Sequence, residues 1–61
     1  MNKDLLKRMI REYFDTIDTR FRSELQRQDE REQVIELAYE AELDTAFIEE
    51  LKLDNNFKNK N

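Results

Sequence analysis

The chain has 61 residues, a formal net charge of −4 and 43% charged residues, and it contains no Gly, Pro, Cys or His. Without Cys or His there is no disulfide framework, no thiolate metal site and no imidazole, and without Gly the P-loop and dinucleotide-binding turns are excluded. A single core in so short a chain rarely supplies more than about 3 to 5 kcal/mol, so association is the expected source of further stability.

Leu6, Ile10, Phe14, Ile17, Phe21 and Leu25 recur every three or four residues, with Leu5, Met9 and Tyr13 beside them. Lys7, Arg11, Asp18 and Arg22 fall on the opposite side. This periodicity predicts an amphipathic helix from about residue 3 to about residue 27. Its N-terminal stretch carries charges among the apolar residues, so it reads as neither a signal peptide nor a membrane span, and the expected location is the cytosol, or a host cytosol if the gene is viral.

In the next stretch, RSELQRQDEREQ (residues 22–33), Leu25 is the only apolar residue. Its residues are good helix formers, so propensity alone allows one helix to run through. Two features predict a break. The stripe that begins at Val34 is about a third of a turn out of phase with the first. Asp29 with Glu32 has capping-box spacing, which places a turn at about 27–29. An opened turn, giving an extended or domain-swapped helix, is the structural rival.

A second helix is expected from about residue 30 to about 53, with Val34, Leu37, Ala38, Ala41, Ile48 and Leu51 on its stripe and Leu43 and Phe47 to one side. It is either continuous or broken near Leu43 and Asp44, with Asp44 or Thr45 capping the new segment. The remainder, DNNFKNKN (54–61), is expected to be a flexible polar tail.

The predicted fold class is therefore all-α: an antiparallel helical hairpin over residues 1–53. Its apolar surface is too long for two helices to cover. A homodimer forming an antiparallel, coiled-coil-like four-helix bundle, with helices crossing at about 20°, would cover it. The expected core and dimer residues are Leu6, Ile10, Phe14, Ile17 and Phe21 against Val34, Leu37, Ala41, Ile48 and Leu51. In layout the chain is similar to the plasmid RNA-binding helical hairpins that dimerise, and AYEAELDTAFIE (38–49) resembles the hairpin of the sporulation checkpoint inhibitors that bind a histidine kinase. Neither likeness carries a functional residue across, because fold analogy alone does not carry function.

Charge is unevenly distributed. Residues 1–27 hold seven Lys or Arg and five Asp or Glu, whereas residues 28–53 hold two and nine. Lys3, Lys7, Arg8 and Arg11 cluster near the start of the first helix. They either pair with acids across the hairpin or contact a phosphate or an acidic partner.

Glu32, Glu36 and Glu40 form a carboxylate ladder, but helical di-metal sites also require Glu-x-x-His, so a solvated face is the reading here. Ser23 is the only serine and has no His or Cys to activate it, so no catalytic residue, cofactor site or metal site is assigned and no enzyme activity is expected. Residues 34–53 can be laid on a helix-turn-helix pattern in which Glu42 takes the turn-glycine position. The would-be reading helix carries Glu49, Glu50 and only Lys52, a charge that phosphates repel.

These features lead to a small, non-enzymatic, protein-binding regulator, an inhibitor or adaptor of the type that phages and mobile elements encode. Glu36, Tyr39, Glu40 and Phe47 are the candidate partner contacts. The alternatives are a nucleic-acid-associated regulator using Lys3, Lys7, Arg8 and Arg11, and a structural assembly subunit.

Overall fold

The structure, a computed structural model, describes residues 2–59. Among these, 86% are helical and none is in a strand. The fold is all-α and has three helices: α1 (Lys3–Arg20), α2 (Glu24–Glu40) and α3 (Thr45–Asn59). None of them is long and apolar enough to cross a membrane.

Each helix start has a side chain that satisfies amides left without an intrahelical partner. The Asn2 carboxamide oxygen accepts from the Asp4 and Leu5 amides at 3.0 and 3.4 Å. Ser23 accepts from the Gln26 amide, and Asp44 accepts from the Phe47 amide at 3.2 Å.

The first turn lies at Phe21–Ser23, and residues 27–29, where a turn was expected, are inside α2. The reason is Ser23, whose spacing to Gln26 is also that of a capping box and which initiates α2 before Asp29 can. Arg27 then closes the turn, with Nη1 donating to the carbonyls of Phe21 and Arg22, both at 2.8 Å. Leu25, one turn past Phe21 on the expected stripe, consequently belongs to another helix and is 79% exposed.

Of the two arrangements considered for the second half, the structure adopts the broken one. Glu42 takes a left-handed φ of 57°, its amide donates to the Tyr39 carbonyl at 3.0 Å, and the Leu43 amide donates to the Ala38 carbonyl at 3.1 Å. These two bonds are the Schellman pattern, and Leu43 is buried beyond it. A non-glycine residue in this region costs about 1 to 2 kcal/mol, so Glu42→Gly is expected to raise stability by about 1 kcal/mol after the added freedom of the unfolded chain is counted. An increase of several degrees in the thermal midpoint would show it; a decrease would mean that the Glu42 side chain is needed.

The chain after Leu53 does not form a separate tail. Residues 54–59 continue α3, Asn55 is buried, and Lys58 pairs with Asp18 of α1 at 2.8 Å. Residues 60 and 61 lie outside the described residues.

The core comprises Ile10, Phe14 and Ile17 from α1, Val34, Ile35 and Ala38 from α2, Leu43 from the turn, and Ile48 and Leu51 from α3. Leu6, Phe21, Ala41 and Phe47 pack partly buried against it. Leu37, expected in the core, is 51% exposed. The stripe α2 actually buries is Arg31, Val34, Ile35 and Ala38, which turns Leu37 outward. Because α3 folds back as a third wall, Phe14 and Ile17 are buried within a single chain.

Ion pairs fix the directions of the helices. Lys7 meets Asp44 just before α3, Arg11 meets Asp54, and Asp18 meets Lys58 near its end, so α1 and α3 run the same way. Arg31 to Asn55 and Tyr39 to Lys52 run in the opposite sense, making α2 antiparallel to α3.

Candidate functional site

The basic cluster at the start of α1 is largely engaged within the chain. Lys3 Nζ donates to the Glu42 carbonyl at 3.3 Å, and Lys7 Nζ lies 3.0 Å from Asp44 and 3.8 Å from Asp4. Arg11 bridges Asp15 and Asp54 and stacks 5.5 Å from the Phe14 ring centroid. Arg8 is exposed.

The hydrogen bond from Lys7, together with a backbone amide, holds the Asp44 carboxyl below its ordinary range, and the same contact raises Lys7. Burial disfavours the charged form of Arg11, but the hydrogen bond to Asp54 and the nearby carboxylates outweigh it, so the net shift is upward.

A second polar cluster ties the far end together. Arg31 is 2% exposed; its Nε donates to Asn55 Oδ1 and its Nη1 to Asp18, at 2.8 and 2.9 Å. Burial disfavours the Asp18 carboxylate, yet the hydrogen bond from Lys58 and the charges of Lys58, Arg31 and Arg27 lower its pKa overall.

Asp18 and Asp44 are both depressed from the ordinary 3.8, so the stability they contribute is present above that value and is lost as pH falls through their folded values. Urea midpoints are therefore expected to hold between pH 7 and about pH 5 and to fall steeply below about pH 4. Asp18→Asn should remove its share of that slope; an unchanged slope would rule Asp18 out as a source of acid lability.

Of the candidate protein contacts, Glu36, Tyr39 and Glu40 are exposed neighbours on α2. Tyr39 turns toward α3, where Lys52 hydrogen-bonds its hydroxyl and lies 4.8 Å from the ring centroid, a contact that raises the Lys52 pKa. Phe47 packs against the core.

What the structure brings together is an open groove of about 370 Å³ between α1 and α2, lined by Tyr13, Glu30, Gln33, Val34, Glu36, Leu37 and Glu40. Its lining residue on α1 is Tyr13, and the exposed Met9 and Leu5 precede Tyr13 on α1 at four-residue spacing, outside the lining itself. Met9 is 58% exposed, and Leu5 and Leu37 are each about half exposed.

Comparison with family models, curated proteins and solved structures finds no match to this chain.

Sequence reasoning placed Leu37 in the core and treated Leu5, Met9 and Tyr13 as its margin, so it missed the groove. The available signal was the width of the α1 stripe. Leu5, Leu6, Met9, Ile10, Tyr13 and Phe14 form three adjacent pairs, more apolar surface than one neighbouring helix covers.

Glu32, Glu36 and Glu40 extend along exposed positions of α2. Among the described residues, no group of three or more acids is arranged to hold a metal ion.

Proposed function

We propose that this chain is a small non-enzymatic regulator, an inhibitor or adaptor, that acts by binding another protein through the α1–α2 groove. The supporting observation is that Leu5, Met9, Tyr13 and Leu37 remain exposed although three helices already close a core around Phe14, Ile17 and Leu51. Apolar residues grouped on one face, rimmed by polar ones and not consumed by the core, are typical of association surfaces. An origin in a phage or mobile element and a cytoplasmic site of action go with this reading.

The test compares the native chain with a Met9→Ser/Leu37→Ser variant, both tagged, in nuclease-treated lysate of the encoding organism. Both positions are exposed, so the variant should keep its helical content. Retention of a protein by the native chain and its loss from the variant is the expected result. Equal retention by both would remove the groove as the working surface.

The nucleic-acid reading rests on Lys3, Lys7, Arg8 and Arg11, of which only Arg8 is without a hydrogen bond or ion pair among the described residues. It requires captured material that disappears with nuclease and binding that weakens steeply with salt. An assembly subunit would instead associate beyond a dimer in light scattering.

A further inference from the structure

The α1–α2 groove has a chemistry that narrows its occupant. Glu30, Glu36 and Glu40 line it, and no Lys or Arg does. Several acids elsewhere in the fold are paired, Asp15 and Asp54 with Arg11, Asp18 with Arg31 and Lys58, and Asp44 with Lys7. Glu36 and Glu40 form no ion pair among the described residues, and Glu30 has only a long contact of 3.5 Å from the Tyr13 hydroxyl.

The groove also lies on the side of α2 turned away from α3. Arg31, Ile35, Ala38 and Tyr39 share the face toward the core and α3, and Gln33, Leu37 and Glu40 occupy the opposite one. The apolar row from Leu5 to Tyr13 is about 12 Å long, a little over two helical turns.

From this we infer that the groove takes a cationic amphipathic helix of a partner protein, with apolar anchors at i, i+3 or i+4 and i+7 flanked by Lys or Arg. The partner helix lies beside α1 and α2 as the fourth helix of the bundle. The inference rests on the groove being the protein-binding surface. A second copy of this chain is the poorer occupant, because a two-fold interface sets each patch against itself and would gather both sets of carboxylates in one place.

The test uses the full-length chain, isotope-labelled for amide shifts, and three fluorescent peptides of about 16 residues, long enough for four helical turns. One carries Leu anchors flanked by Lys, one has every Lys replaced by Glu, and one has every Leu replaced by Ser. The Leu/Lys peptide is expected to shift amides around Met9, Tyr13 and residues 33–40, and the other two should bind weaker by about tenfold or more. Glu36→Lys/Glu40→Lys should lower affinity for the Leu/Lys peptide by about tenfold, and the loss should shrink at high salt. Glu49→Lys/Glu50→Lys, the same charge change on α3, should alter it by less than about twofold.

Equal losses from the two reversals, or shifts mapping away from the groove, would mean bulk counter-ion attraction and overturn the inference. Tighter binding of the Leu/Glu peptide at the same amides would overturn the cationic partner and leave the groove as a docking surface. If no peptide binds and the groove amides shift with the chain's own concentration, a second copy is the occupant and both readings fail.

Discussion

Arg31→Ala is expected to cost about 3 kcal/mol, close to the whole stability available to a domain of this size, so the variant should be largely unfolded at room temperature. Three losses combine. The guanidinium leaves a void at the start of the buried α2 stripe, where Arg31 is the largest fully buried side chain. Asn55, itself buried, loses the donor to its Oδ1 and becomes an unsatisfied polar group. Asp18 keeps Lys58 but loses one of its two ion-pair partners.

Arg31→Lys should recover little, because a single ammonium cannot reproduce the fork that reaches α1 and α3 together. Arg31→Met/Asn55→Leu, which removes both polar groups and keeps apolar volume, should return to within about 1 kcal/mol of the native chain. Thermal and urea unfolding followed by circular dichroism separate these cases. A stable Arg31→Ala variant would mean that the clamp is not what joins the three helices at this end.

Phe14→Ala is the second large loss, expected at about 3 to 5 kcal/mol. Phe14 is fully buried, and its ring is also a platform for Arg11 and Lys58, at 5.5 and 5.3 Å from the centroid. Truncation therefore opens a cavity and removes the surface on which the two cations lie. Phe14→Leu keeps most of the volume and should cost roughly 1 to 2 kcal/mol, part of it the lost cation–ring attraction of about 0.5 to 1 kcal/mol per contact. Combining Phe14→Leu with Lys58→Ala in a double-mutant cycle isolates that share: a coupling near zero would show that Lys58 is held by Asp18 alone.

Both variants act where helices from distant parts of the chain converge, and that is where the sequence was least legible. The period of α1 was readable because Leu6, Ile10, Phe14 and Ile17 repeat at helical spacing regardless of what they pack against. Its end was not. Ser23 with Gln26 and Asp29 with Glu32 are both acceptable capping pairs, and choosing between them requires the carbonyls of Phe21 and Arg22, which Arg27 reaches only in the folded turn. The break near Leu43 and Asp44 was legible as one of two arrangements, since Asp44 is a good cap and Leu43 sits off the α2 stripe. What made it the outcome is a left-handed Glu42, a conformation no local preference for glutamate would select.

Leu37 lies outside and Arg31 inside for one reason. Hydrophobicity ranks leucine inside and arginine outside, but the rotation of α2 is set by the best joint fit of Val34, Ile35 and Ala38 against two neighbours. Arg31 lies on that line, where Asp18 and Asn55 satisfy it, and Leu37 does not. A charged residue is tolerated in a core only with its partners in place, and those partners are 13 and 24 residues away in sequence.

The sequence by itself determined that the chain is helical, that catalytic imidazole and thiol chemistry are absent, and that its acids and bases are segregated, because these follow from composition and local period. The number of helices around the core, the burial of Arg31, the pairing of Lys7 and Arg11, and the groove between α1 and α2 were decided only by the tertiary structure. The first three depend on the return of α3 alongside α1, which brings residues about 40 positions apart within hydrogen-bonding distance, and the groove depends on the rotation of α2 against α1. No local pattern encodes a contact of that range.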